Sequence, residues 1–145
     1  MAFQLIVPPP KASKGAFRIA TVQRGAHPFS LQISMPAAMF HLQYGDHESF
    51  DILIGEGPDK GKLLIRPAEN GHFKPTRLKY TCVFRLPVTE WTPQIALSTD
   101  NPERRQTAEG ALLVTLPDWV ANWKDIQKAR EQVSRERQLE KLQGK

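Results

Sequence analysis

Residues 30–67 read SLQISMPAAMFHLQYGDHESFDILIGEGPDKGKLLIRP, and this stretch holds a full unit of supersecondary logic. Leu31-Gln32-Ile33-Ser34-Met35 alternates apolar and polar residues, the period-2 pattern of a strand with one buried face. Pro36 has no N–H to give to a ladder, and it suits a first helical position, where that N–H would be unpaired anyway. Ala37, Ala38, Met39 and Leu42 favour helix. Gly45-Asp46 ends the helix, glycine taking a positive φ without strain. Phe50, Ile52 and Ile54 share one face of the next strand. Gly55 to Gly61 is a turn region, and Leu63-Leu64-Ile65 returns, so residues 50–67 predict a hairpin with a loop longer than two residues.

Working outward, the N-terminal side begins with Phe3 to Val7, a short strand closed by Pro8-Pro9-Pro10, and a linker over Lys11 to Gly15. Phe17 to Val22 alternates again and predicts a strand. On the C-terminal side, Ala68 to Thr76 is a polar loop. Arg77 to Leu86 is the longest strand candidate, ended by Pro87. Thr92 to Gly110 reads mostly as loop, with Ile95-Ala96-Leu97 as a possible short strand and residues 100–105 exposed. Ala111 to Leu116 is the last strand, and Pro117 opens the last helix. Trp119, Trp123, Ile126, Arg130 and Val133 follow helical spacing, after which the apolar stripe fades into charge.

The expected organisation is therefore an N-terminal strand and Pro-rich linker over 1–15, a single β-rich domain over 16–123, and a charged helical extension over 124–145. The fold class is α+β, a β-rich small barrel or sandwich with a long C-terminal α-helix. One core suits 145 residues. Twelve prolines and nine glycines favour many short elements. A strand ending in proline recurs at Pro36, Pro87 and Pro117, each followed by a bulky apolar anchor (Met39, Trp91, Trp119).

The net charge is +5, of which the stretch from Lys124 to Lys145 carries +3. Such a balance favours anionic partners. Cys82 is the one cysteine; it lies in a strand-like run, so it reads as a buried inert thiol in a reducing compartment. The apolar start is short and broken by prolines, unlike a signal peptide, and no stretch has the ~20 apolar residues of a membrane helix. The expected location is the cytoplasm.

The chemistry of an enzyme is not written in the motifs. His41 and His47 with Asp46, Glu48 and Asp51 have metal-ligand residue types but no HxxxH or HExxH spacing, and read as a polar turn. Residues 55–62 lack the Gly-Lys-Ser/Thr ending of a phosphate loop. Ser30, Ser34 and Ser49 have no nucleophile-elbow context. A non-enzymatic protein without metal or cofactor is expected.

Ile33-Ser34-Met35-Pro36, Phe40-His41-Leu42, Gly45-Asp46 and Leu63 to Pro67 together resemble the AbrB/SpoVT-type swapped-hairpin DNA-binding domain. In this chain the apolar residues Phe50 and Ile52 fall later than in that pattern, and Arg18 and Arg24 are the nearest matches to its arginine-bearing strand. The resemblance implies an obligate homodimer with Met39 and Leu42 in its core, whose interleaved hairpins present basic side chains to DNA. Independently of it, Arg66, Lys74, Arg77, Lys79 and Arg85 cluster in sequence. Arg77, Lys79, Thr81, Val83 and Arg85 share a parity, so a single strand would place the three cations on one solvated face, able to track phosphates, with Tyr80, Cys82, Phe84 and Leu86 facing the core. Phe73 and Tyr44, if exposed, would stack on single-stranded bases.

The leading expectation is a small non-enzymatic DNA-binding transcription regulator, a homodimer contacting duplex DNA through Arg18, Arg24, Arg66, Lys74, Arg77, Lys79 and Arg85. The competing ones are a non-catalytic assembly or adaptor protein, such as a phage or mobile-element component, that docks a protein partner through Arg130, Arg135, Arg137, Leu139 and Leu142, and a single-strand-binding β-barrel.

Overall fold

The computed structural model describes residues 3–4 and 17–143. The expected strand at Phe3 to Val7 and the linker after it lie almost wholly outside the described residues. Nine strands and two α-helices follow in the order β1 (Arg18–Val22), β2 (Ser30–Pro36), α1 (Ala37–Tyr44), β3 (Phe50–Ile54), β4 (Lys62–Pro67), β5 (Thr76–Arg77), β6 (Thr81–Arg85), β7 (Ser98–Asp100), β8 (Arg104–Gln106), β9 (Leu112–Thr115) and α2 (Trp119–Gln143). They form two antiparallel sheets, ordered β5-β6-β2-β1-β7 and β3-β4-β9-β8. The sheets do not close into a barrel, so the α+β expectation resolves to its sandwich form.

Alternation decides which face each strand buries. In the first sheet Ile19 pairs with Ile33, and Ile33 with Phe84. These residues, with Leu31, Met35 and Cys82, are buried. In the second, Leu63 pairs with Val114 and Ile65 with Leu112, all buried. α1 closes one end. Its Phe40 and Tyr44, one helical turn apart, stack into Phe50 of β3 at 5.5 and 4.8 Å between ring centres. Phe50 in turn meets Phe84 of β6 edge-on at 5.4 Å. This aromatic cluster joins the two sheets. The Tyr44 hydroxyl donates to the Ile65 carbonyl at 2.8 Å, so the ring's polar end is satisfied inside the core.

The opening unit folds as the sequence predicts, with two differences. Pro36 still belongs to β2, paired with Thr81, and stands at the N-cap of α1. Leu42 is 86% exposed and Met39 only partly buried, because the core face of α1 is set by Phe40 and Tyr44. The expected hairpin β3–β4 forms, with Ile52 opposite Ile65. A 3-10 turn, Gly57–Asp59, occupies its loop.

The run from Arg77 to Leu86 is not one strand. The chain reverses at Lys79-Tyr80, where the Leu78 N–H donates to the Thr81 carbonyl at 2.8 Å, and Arg77 lies back beside Cys82. Tyr80, expected in the core, is half-exposed, and Val83, expected on the solvated face, is buried. In the 92–110 stretch, β7 and β8 replace the expected loop. Ile95–Leu97 instead meets β1 at Thr21: the Thr21 N–H donates to the Leu97 carbonyl at 2.8 Å, and its hydroxyl donates to the Ile95 carbonyl at 2.6 Å and accepts the Leu97 N–H at 2.8 Å. α2 begins at Trp119, two residues after the expected Pro117.

Candidate interaction surface

The cations named from the sequence fall on different parts of the sandwich. Arg18, on the outer face of the first sheet, is tied to Asp100 of β7 at 2.6 Å. Arg85 lies on that same face, opposite Gln32. Arg77 pairs with the core residue Cys82, so it sits on the opposite side of the sheet from Arg85. There its guanidinium lies 5.0 Å from the centre of the Phe40 ring and donates to the His47 carbonyl at 2.8 Å. Lys79 is in the hairpin turn, 5.2 Å from the Tyr80 ring. The expected row of Arg77, Lys79 and Arg85 is therefore broken: the turn resets the alternation on which it rested. Arg66 belongs to the other sheet, 4.0 Å from Asp51. Arg24 and Lys74 lie in exposed loops. Of the aromatics considered for base stacking, Tyr44 is buried and Phe73 packs against the core.

Titratable groups follow the same packing. Burial pushes the Cys82 thiol up from its ordinary value, which keeps it protonated and unreactive. The hydrogen bond from His72 holds the Asp51 carboxyl down, helped by the His72 backbone N–H and by Arg66. Burial raises the Tyr44 hydroxyl far above the ordinary phenol range. Among the described residues no three His, Cys, Asp or Glu side chains converge as a metal site. The turn Asp46–Ser49 with Pro67–Glu69 lines a shallow polar depression. No described helix is long and apolar enough to cross a membrane.

The helix residues are brought together more closely than the strand cations. The base of α2 is anchored: Trp119 and Val120 pack against the core, and the Trp119 indole N–H donates to the Thr99 hydroxyl at 2.7 Å. Arg130 donates to the Ala96 carbonyl at 3.1 Å, so this expected partner-binding cation also serves to fix the helix to the body. Beyond it every described side chain is exposed. At about 100° per residue, Lys124, Lys128, Arg135, Leu139 and Leu142 fall within one narrow arc, on the side opposite Trp119 and Arg130. Leu139 is 55% and Leu142 83% exposed. Arg137 shares the body-side arc with Arg130 and is exposed. Lys124 and Lys128 were not among the site residues named from the sequence; their spacing to Leu139 and Leu142 was the available signal. No known protein family, curated protein or solved structure matches the chain.

Proposed function

We propose that the protein is a cytoplasmic, non-catalytic adaptor whose sandwich holds out α2 for a protein partner. The observation that supports this reading is the solvated half of α2, from Lys128 to Leu142, with leucines exposed on its outward face. An amphipathic helix laid in a groove is read through anchors at helical spacing. Here Leu139 and Leu142 are the apolar anchors, and Lys124, Lys128 and Arg135 flank them, which favours an apolar groove with an acidic rim. Leu139 and Leu142 stand three residues apart, so they share one face of the helix and can enter one groove together.

The test is recovery of a partner by the full chain and by Leu139→Glu/Leu142→Glu. The adaptor reading expects a defined protein bound by the first and lost by the second, with both chains equally folded. Equal recovery by both would sink it.

A second reading, duplex DNA bound by a homodimer, keeps the support of the net charge of +5. It draws now on the cations of α2 more than on the strand cations. A gel shift at two salt concentrations separates the readings. DNA binding loses up to about 0.9 log unit of slope for each phosphate contact removed, so Lys124→Gln/Lys128→Gln/Arg135→Gln would flatten it.

A further inference from the structure

The two sheets have edges at β5, β7, β3 and β8. Folded proteins blunt such edges with charge, proline or brevity, because an open row of N–H and C=O groups invites another strand. β5 is two residues long and follows Pro75. β7 is Ser-Thr-Asp with Pro102 close behind, and β8 is Arg-Arg-Gln. β3 is different: it carries Asp51 near its start, engaged by His72, and the rest of its edge, Ile52-Leu53-Ile54, has no charge and no proline.

The direction of its backbone groups follows from the ladder. Phe50 exchanges both hydrogen bonds with Phe73 at 2.9 Å, on the side away from β4. The Gly55 N–H points the other way, to Lys62 of the hairpin partner. Antiparallel strands alternate the two directions, so Ile52 and Ile54, like Phe50, direct their N–H and C=O outward. Among the described residues nothing pairs with them. The open stretch is bounded by the Phe73 bridge at one end and by the end of β3 at the other, and it is centred on Leu53.

Leu53 also begins an apolar row. It is 37% exposed on the outer face of the second sheet, opposite Leu64, which is opposite Leu113. Ile54 is 44% exposed, at the mouth of an open groove of about 700 Å³ that Trp91, Leu116 and Val120 line.

We propose that β3 pairs antiparallel with β3 of a second copy of this chain, about a two-fold axis at Leu53. The open stretch is self-complementary in that register. Ile52 exchanges hydrogen bonds with the partner's Ile54, and Ile54 with the partner's Ile52. Leu53 meets the partner's Leu53 in the close, non-hydrogen-bonded position, with Cα atoms roughly 4.5 Å apart. The leucine row then runs without a break from Leu113 of one protomer to that of the other.

Charge agrees with the register. The partner's Glu56 falls opposite Phe50, a place that Phe73 already fills, so the paired stretch ends at Ile54 and Glu56 turns out of the ladder there, beside Lys74. The two-fold repeats that opposite-charge contact. No charge of either chain falls at the centre. This association does not depend on the adaptor reading; it would place two copies of α2 in one particle.

Sedimentation of the full chain over a range of concentrations tests it, with hydrogen exchange at Ile52 and Ile54. The wild type is expected to dimerise, with those two amides protected only in the dimer. Ile54→Pro removes one outward N–H and leaves the β3–β4 ladder whole, since proline is tolerated on an edge whose N–H faces out. Leu53→Lys sets like charges against each other on the axis. Both are expected to yield folded monomers. Should either unfold, Glu56→Lys is expected to weaken the dimer on an exposed loop, and Glu56→Lys/Lys74→Glu to restore it. A wild type that stays monomeric overturns the proposal, as does a dimer untouched by these changes. Amides protected in a monomer overturn it too, since the edge would then be covered by the chain's own residues, such as Phe3 to Val7.

Discussion

The Arg77 guanidinium lies over the Phe40 ring, 5.0 Å from its centre, and holds the His47 carbonyl at 2.8 Å. A cation read from the sequence as a free phosphate contact thus works as a cover for α1 and a tie to the turn after it. Cation–π contact at such a site is worth about 0.5–1 kcal/mol, and a hydrogen bond adds a similar amount. Arg77→Ala is therefore expected to destabilise by about 1–2 kcal/mol in urea unfolding. Arg85→Ala, on the open outer face, is expected to change stability by less than about 0.5 kcal/mol. Equal and negligible effects would return Arg77 to the solvated surface.

Tyr44 gives a pH dependence with a definite sign. Its hydroxyl is buried and its pKa raised by that burial. In the unfolded chain a tyrosine ionises near pH 10. Above that pH the unfolded state has lost the proton while the folded state keeps it, so stability falls as pH rises. Below it the contribution of the neutral hydroxyl is intact. Unfolding curves from pH 8 to 11 are expected to show this decline, and Tyr44→Phe to remove its steepest part. At neutral pH Tyr44→Phe is expected to cost about 0.5–1.5 kcal/mol, from the lost bond to Ile65.

The second sheet rests on a close approach at Gly71, where an added Cβ would press on the Phe50 backbone. That contact lies beside the Phe50–Phe73 bridge. Gly71→Ala is expected to force the bridge open, at about 1–3 kcal/mol in line with other overpacked sites. Faster hydrogen exchange at Phe73 would report it; unchanged protection there would show that the loop yields instead.

The strand–helix–hairpin unit was legible because its signals are local: alternation at Leu31–Met35, a proline before the helix and Gly45 with φ 59° after it. Local signals also marked α2 and the fading of its apolar stripe. What they left open was set by partners far along the chain. The hairpin turn at Lys79-Tyr80 contains no glycine, asparagine or proline, so nothing interrupted the run from Arg77 to Leu86. β7 and β8 are short and polar, and become strands by pairing with β1 and β9. Helix propensity predicted α1 but not its buried face, because Phe40 and Tyr44 are selected over Leu42 by Phe50 and Phe84. The open edge at Ile52–Ile54 required the strand order, which no local pattern carries.

Trp119 and Thr99 tie α2 to β7 through a single hydrogen bond of 2.7 Å. Trp119→Phe and Thr99→Val, alone and together, form a double-mutant cycle whose coupling is expected at about 0.5–1.5 kcal/mol. A coupling near zero would mean that the helix base is held by apolar packing of Trp119 and Val120 alone.

The distal half of α2 contributes little to the core. From Lys128 on, every described side chain is exposed, Val133 at 47% among the least so of its apolar residues. Isolated helix is marginal in water, and pairs such as Glu131 with Arg135 add only about 0.2–0.5 kcal/mol each. Deleting residues 134–145 is therefore expected to lower helical ellipticity while leaving Tm nearly unchanged, because the anchors at Trp119, Val120 and Arg130 remain. A large fall in Tm would make the distal helix a structural element. Retained Tm with loss of a protein partner would support the adaptor reading, and retained Tm with loss of duplex binding would support DNA as the ligand of the same basic face.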